Sequence, residues 1–396
     1  MDQAELDRWH MERALELAER GRGYVEPNPM VGCIVARGAE VLAEGWHRRF
    51  GGPHAEVEAL QMAGSRARGA TLYVTLEPCC HYGKTPPCTQ AILAAGIRRV
   101  VVALQDPFPA VAGKGLQELR QAGVEVLCGV LEEQAAELLA AYRKRLSRGR
   151  PWVLAKWAMT LDGKVATTAG KSRWISSEPA RQVVHRLRGL VDAVVVGIGT
   201  VLADDPLLTA RPPGPRVPVR IVLDGAARLP LDSQLVRTAR EVPVLVVVGP
   251  QASSEAIASL EQAGCEVLRI NAADRVDRVH ALLEELGRRQ MTNLLVEGGP
   301  TVLGSFFGAQ EVDEVHVFVA AKIFGGQAAP SAVAGAGVCL PEQAWQLAKP
   351  QMLPMEPDVY ICGRVKREVA VTSPAAEDAA DSPETASVAE NFCADR

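Results

Sequence analysis

His54-Ala55-Glu56, then Pro78-Cys79, and then Cys88 at the end of the loop Cys80-His81-Tyr82-Gly83-Lys84-Thr85-Pro86-Pro87 form the most telling stretch of this chain. One imidazole and two thiolates supply three ligands for Zn²⁺, and three protein ligands leave the fourth tetrahedral position to water. That is the arrangement of a catalytic ion rather than a structural one. Glu56, two residues beyond His54, is placed to carry protons to and from that water. The alternative is a structural ion with Cys80 or His81 as a fourth ligand. Adjacent thiolates do not easily share one tetrahedral ion, and a closed site would leave Glu56 without a task.

Around this cluster, helical and strand spacings alternate. Leu6, Trp9, Arg13 and Leu17 predict an amphipathic helix over 2–20 that stops at Gly21 and Gly23. Strand-like runs Met30–Ala36 and Glu40–Gly45 flank Arg37-Gly38-Ala39 as a hairpin. Helix His54–Ala63, strand Ala70–Leu76, helix Cys88–Ala95, strand Arg99–Leu104, helix Gly115–Ala122 and strand Val124–Leu127 follow. This order indicates an α/β sheet with helices on both faces. His54 and Cys88 both fall at helix starts, where unpaired N–H groups favour thiolates and acidify a bound water.

A helix over Glu132–Ser147 carries Arg143, Lys144 and Arg145, with Arg148 just beyond, and leads to Gly149-Arg150-Pro151, where we place a domain boundary. The basic run reads as a helix C-terminus favoured by the macrodipole rather than as a binding patch. Beyond it a second α/β alternation has strands near Trp152–Ala158, Ala193–Val196, Val219–Leu223, Val242–Val248, Glu266–Ile270, Asn293–Val296 and Glu314–Val319. Gly197-Ile198-Gly199 has Leu202 where a dinucleotide fingerprint needs its third glycine, so it is not read as one. Gly298-Gly299-Pro300-Thr301, before a helix over Thr301–Phe307, suits a phosphate held on backbone N–H groups, with a plain turn as the alternative. Domains are thus expected over 1–149 and 150–368, with a disordered acidic tail over 369–396.

Composition narrows the class. The 396 residues are 48% hydrophobic and 23% charged, enough for two ordinary cores. Net charge is −4 without a long Lys/Arg tract, which speaks against a nucleic-acid binder. Neither a membrane-spanning apolar run nor a signal-peptide core is evident, so no membrane association is expected. Nine cysteines fit a reduced, cytoplasmic setting better than a disulfide framework. Cys33, Cys128, Cys265 and Cys362 lie in apolar strand-like runs and read as buried structural thiols. A homo-oligomer is expected.

The H-x-E…P-C pattern is that of zinc nucleobase deaminases, but Cys88 comes nine residues after Cys79 rather than three. Pro78–Thr89, Asn28-Pro29-Met30-Val31-Gly32 and Pro53-His54-Ala55-Glu56-Val57 resemble the deaminase domain of the bifunctional deaminase/reductases of riboflavin biosynthesis. Cys80 stands where that family usually carries Ser. Lys156-Trp157-Ala158-Met159-Thr160-Leu161-Asp162-Gly163, Ser172-Arg173-Trp174-Ile175, the run Val196–Pro206 and Val296-Glu297-Gly298-Gly299-Pro300-Thr301 resemble its reductase domain. Thr160 and Met159 replace the more usual Ser and small residue there. The resemblance covers nearly everything before the tail.

It implies a cytidine-deaminase-like α/β/α sandwich followed by a dihydrofolate-reductase-like α/β domain. By the same resemblance Zn²⁺ sits on His54, Cys79 and Cys88, Glu56 is the catalytic acid–base, and Asn28, His47, His81 and Lys84 hold a phosphorylated pyrimidine. In the second domain Ser172, Arg188, Leu208, Arg211 and Glu297 map to the substrate. Ala158, Trp174, Thr200, Asp204, Gly299, Pro300, Thr301, Val302, Leu303, Gly304 and Ser305 map to NADPH. The implied reactions are deamination of the pyrimidine and then reduction of its ribosyl group to ribityl. Asp162 and Lys156 are conceivable in the second reaction and equally readable as structural polar residues. A polynucleotide deaminase would show a basic, aromatic-lined groove and a short P-C-x-x-C, and neither is evident. A non-catalytic zinc protein would have no need of the intact His54, Glu56, Cys79, Cys88 set.

Overall fold

The computed structural model describes residues 1–82, 86–272 and 274–366, so Lys84 and the acidic tail lie outside the described residues. Strands β1 (Gly32–Arg37), β2 (Glu40–Trp46), β3 (Thr71–Leu76), β4 (Arg99–Leu104) and β5 (Glu125–Cys128) form one sheet in the order β2-β1-β3-β4-β5. β1 runs antiparallel to both neighbours, and β3, β4 and β5 are parallel. The sequence Arg-Val-Val-Val-Ala-Leu of β4 is buried throughout, as a central parallel strand covered on both faces must be. Helices Ala55–Ala63 and Cys88–Ala94 cover one face through Ala55, Ala59 and Ile92. Helix Gln3–Glu19 covers the other through Met11, Ala14 and Leu17. Gly45 lets the ligand-bearing helix sit directly on β2, since a Cβ there would lie 2.4 Å from the Ala55 carbonyl oxygen.

The expected helix over Glu132–Ser147 is two helices, Glu132–Leu138 and Ala140–Arg148. Leu139, at ψ 13°, leaves helical geometry between them and buries its side chain in the core with Ala135 and Tyr142. The basic run does end helix Ala140–Arg148, with Arg145 and Arg148 in its last turn and Gly149 as C-cap, and it makes tertiary contacts besides. Lys144 is buried between Glu311 at 3.1 Å and Asp313 at 2.6 Å, and Arg145 lines the first cavity.

A second, nine-stranded sheet comprises β6 (Trp152–Thr160), β7 (Ala193–Gly197), β8 (Val219–Leu223), β9 (Val244–Val248), β10 (Glu266–Arg269), β11 (Asn293–Val296), β12 (Glu314–Ala320), β13 (Leu347–Met355) and β14 (Asp358–Val365). Its order is β10-β9-β8-β7-β11-β6-β12-β14-β13, parallel from β10 to β12 and antiparallel thereafter. The final hairpin was not anticipated. Lys349, Pro350, Gln351 and Pro354 break the alternation that marks a strand, and prolines are tolerated because β13 is an edge. Both sheets belong to one compact unit, Met1–Val365. Of the cysteines read as buried, Cys33 and Cys265 are, whereas Cys128 and Cys362 lie on outer strands and are half-buried. Among the described residues, no helix is long and apolar enough to cross a membrane.

Candidate active sites

Three local elements build the first site. His54 is the N-cap of helix Ala55–Ala63, Cys88 opens helix Cys88–Ala94, and Cys79 follows the end of β3. His54 Nδ1 lies 3.2 Å from Cys88 Sγ and 3.5 Å from Cys79 Sγ, and the three ligand atoms all fall within 4.8 Å of one another. The Cys88 backbone N–H donates to Cys79 Sγ at 3.4 Å. Hydrogen bonding from the Cys88 thiol, joined by His54 and working against burial, draws the Cys79 thiol down to about 4. This donor set fits a zinc ion with three protein ligands. Cys80 is not among them, because its sulfur turns to the Ala110 carbonyl at 3.9 Å.

Glu56 is buried beside this cluster, and burial raises its carboxyl above the ordinary range. His47 Nδ1 donates to the Pro53 carbonyl at 2.8 Å, which leaves Nε2 to accept from the Asn28 amide at 3.2 Å. A cavity of about 340 Å³ joins Asn28, His47 and His81 to His54, Glu56 and Cys79. Sequence reasoning missed several of its walls: Phe50, Asp106, Phe108, Tyr142 and Arg145. Burial lifts the Asp106 carboxyl to about 6, although it accepts hydrogen bonds from the Phe108 N–H and the Tyr142 hydroxyl. Glu77 pins the surrounding loops by accepting from the N–H groups of Asp106, Gly113, Gly115 and Leu116.

The second site is a cavity of about 780 Å³ at the carboxyl ends of β6, β7, β8, β9 and β11, where ligands of open parallel sheets bind. Ala158, Thr200, Asp204, Glu297, Gly299, Pro300, Thr301, Val302, Leu303 and Ser305 line it. Gly299 is the N-cap of helix Pro300–Gly308 and no side chain caps it; Pro300 has no N–H and the Val302 and Leu303 N–H groups donate to the Gly299 carbonyl, which leaves the Thr301 N–H at this helix start. Gly197, Ile198 and Gly199 line the same space. That turn therefore contributes despite its incomplete fingerprint.

Other expected residues act through neighbours. Ser172 donates its hydroxyl to Asp204 at 2.9 Å. Arg188 grips Glu297 with Nε at 2.6 Å and Nη2 at 3.0 Å. Lys156 Nζ lies 3.6 Å from the same carboxylate and lines the cavity. Burial alone would raise Glu297, but Arg188 and Lys156 outweigh it and hold the carboxyl at about 2. Burial also lowers the Lys156 ammonium.

Trp174, Leu208, Arg211 and Gly304 do not line the cavity. Leu208 is buried in the core, and Trp174 is largely exposed with the Arg181 guanidinium 4.5 Å above its ring. A Cβ on Gly304 would lie 1.7 Å from the Ala334 carbonyl oxygen, so that glycine serves close packing. Asp162 accepts from the Thr160 hydroxyl at 2.5 Å and from the Phe324 and Gly325 N–H groups, which gives it a loop-holding task.

A cytidine-deaminase-like sandwich with a three-donor metal cluster, followed by a reductase fold with a nucleotide-sized cavity, defines a bifunctional deaminase/reductase. The cytidine and deoxycytidylate deaminase zinc-binding region matches residues 4–104, and the RibD C-terminal domain matches residues 151–354. Riboflavin biosynthesis protein RibD of Actinobacillus pleuropneumoniae is 42% identical over 341 residues, covering 85% of this chain and 90% of that one. Its counterpart in Aquifex aeolicus is 45% identical over 322 residues, covering 81% and 88%. The structure of Acinetobacter baumannii RibD matches with a TM-score of 0.81 at 36% identity, covering 92% of this chain and 100% of that one. The Thermotoga maritima diaminohydroxyphosphoribosylaminopyrimidine deaminase/reductase matches at 0.79 and 35%, with the same coverage. The chain belongs to the RibD family, the bifunctional deaminase/reductases of riboflavin biosynthesis.

Proposed function

We propose that the first cavity deaminates a phosphorylated diaminopyrimidinone ribosylamine and that the second then reduces its ribosyl group to ribityl with NADPH. The observation that carries the reading is the convergence of His54, Cys79 and Cys88 beside the buried carboxyl of Glu56. When bound by those three residues, Zn²⁺ supplies a Lewis acid that makes water nucleophilic near neutral pH. Glu56, whose hold on a proton burial strengthens, accepts the proton of the attacking water. It passes protons to the ring nitrogen and to the amino group, whose bond to the ring carbon breaks as ammonia leaves. Asn28 and His47 are hydrogen-bonded to each other in advance and present a fixed polar edge to the ring.

Thr200, Asp204 and the Gly299–Ser305 segment would hold NADPH in the second cavity, where it would supply a hydride for C1 of the ring-opened ribosylamine while a proton goes to the imine nitrogen. Glu297, oriented by Arg188, holds the sugar side, and Lys156 is the cation beside it. Arg228, Arg275 and Arg278 line the same cavity and suit the extra phosphate that separates NADPH from NADH. Cys33, Cys79, Cys80, Cys88, Cys128, Cys265 and Cys362 form no disulfide, which supports a reducing, cytoplasmic setting. Edge strand β13 exposes Met352 and Leu353, in keeping with a homo-oligomer.

The test is a two-step assay on the zinc-loaded protein with the diaminopyrimidine nucleotide. Ammonia release should need no NADPH, and NADPH oxidation should begin only after deamination. Glu56→Ala should keep its zinc and lose deamination by about 10²–10⁴-fold. Native-rate turnover in that variant sinks the mechanism.

A further inference from the structure

Asn28 reaches the first cavity from the irregular segment between helix Gln3–Glu19 and β1. That segment winds on itself. The Tyr24 and Val25 N–H groups donate to the Gly21 carbonyl, and the Asn28 N–H donates to the Val25 carbonyl at 2.9 Å. The Tyr24 carbonyl accepts from the N–H of Phe50, another wall of the cavity, at 3.0 Å. A turn outside any helix or sheet opens locally at low cost, so the placement of Asn28 depends on what grips the turn.

One grip comes from the other half of the chain. Arg216 Nη1 donates to the Glu26 carbonyl at 3.4 Å and to the Gly23 carbonyl at 3.5 Å, and lies 3.5 Å from the buried Glu26 carboxylate. Glu26 closes the same turn by accepting from the Gly23 N–H at 3.0 Å. On its far side Arg216 Nη2 donates to Asp192, whose second oxygen accepts from the Thr292 and Asn293 N–H groups at 2.8 Å each. Asn293 opens β11, an interior strand of the nine-stranded sheet, so the guanidinium is anchored on a rigid element. Gly23, at φ 81°, also seats the turn against this half, since a Cβ there would lie 2.8 Å from Pro215 Cγ and 3.0 Å from Leu190 Cδ2. Only a planar fork of several donors can bridge two carbonyls and two carboxylates at once.

The ion pairs of Lys144 with Glu311 and Asp313 join the halves through residues that do not line the first cavity. Arg216 instead acts through Glu26, two positions before Asn28. We propose that Arg216, a residue of the reductase half, is a positioning residue for deamination: it clamps the Gly23–Glu26 turn and so sets the Asn28 side chain against the pyrimidine. The inference rests on the deaminase reading above and makes the first reaction depend on the second half of the chain.

The experiment uses full-length, zinc-loaded protein with Arg216→Ala, Arg216→Lys and Asn28→Ala, singly and with each Arg216 change combined with Asn28→Ala. Ammonia release from the diaminopyrimidine nucleotide, zinc content and reductase turnover of pre-deaminated substrate are measured for each. Arg216→Ala should lower kcat/KM for ammonia release by about 10- to 100-fold, the scale on which a displaced contact group acts. Zinc content and reductase turnover should stay as they are, and Arg216→Lys should recover part of the loss. In the Asn28→Ala background Arg216→Ala should cost no more than about twofold further, because both changes remove the same contact. Full multiplication of the two losses, a parallel fall in zinc content or reductase turnover, or no loss at all overturns the proposal. If Arg216→Ala does not fold, Arg216→Lys in the two backgrounds decides by the same non-additivity. Absence of ammonia release from the unaltered protein instead defeats the deaminase reading itself.

Discussion

The first cavity gathers its reactive groups from two helix starts and one strand end into a space of about 340 Å³, whereas the second spreads over five strand ends and about 780 Å³. In the first, the chemistry depends on three ligand atoms within 4.8 Å of one another and the carboxyl of Glu56 beside them. In the second, a nicotinamide cofactor brings the reducing power, and the protein supplies shape, backbone N–H groups and scattered charge. The difference teaches where fragility lies. A site built from metal ligands fails at one substitution, while a cofactor cleft degrades by degrees.

Three variants probe that contrast. Cys88→Ser, which removes one donor of three, should abolish zinc retention and ammonia release while reductase turnover of pre-deaminated substrate persists. Zinc content and the two separate assays report this, and a parallel collapse of both activities would break the contrast.

Glu297→Gln should come next, because it leaves Arg188 and Lys156 facing a neutral amide in a buried place, at a cost of about 3–5 kcal/mol. Its pH signature follows from linkage. Glu297 sits at about 2 in the fold against an ordinary 4.5. The stability it contributes is present above 4.5 and is lost as pH falls toward 2. Urea unfolding across that window should show a shallower acid decline in the variant, and an unchanged slope would remove Glu297 from the account.

Arg228→Ala should be mildest, lowering the preference for NADPH over NADH by roughly tenfold through loss of one phosphate contact. Steady-state kinetics with both cofactors measure it. A total loss of reduction would mean that the second cavity is as brittle as the first.

Much of this was legible beforehand, for identifiable reasons. β4, β8 and β11 coincide with their expected bounds because continuous Val/Leu runs leave little choice of register. His54, Glu56, Cys79 and Cys88 were readable because ligand chemistry restricts both residue type and spacing. Arg145 was not, since only tertiary packing decides which way a residue in a basic helical run points. Arg228, Arg275 and Arg278 come from two separate segments that only the parallel sheet brings to one cavity. Asp106 and Tyr142 likewise meet across 36 positions of sequence, and no local pattern announces such a pair.

Lys144 bears on how the molecule can be dissected. Its ammonium, 6% exposed, reaches from the last helix before Gly149 to Glu311 and Asp313, both of which flank the start of β12. The Gly149 carbonyl is also packed so closely against helix Arg275–Arg288 that a Cβ on Gly287 would sit 1.7 Å from it. Scissors placed at Gly149 to express each activity separately would uncover two acids on one fragment and strand their cation on the other. The point where the chain invites cutting is a seam that the fold has welded.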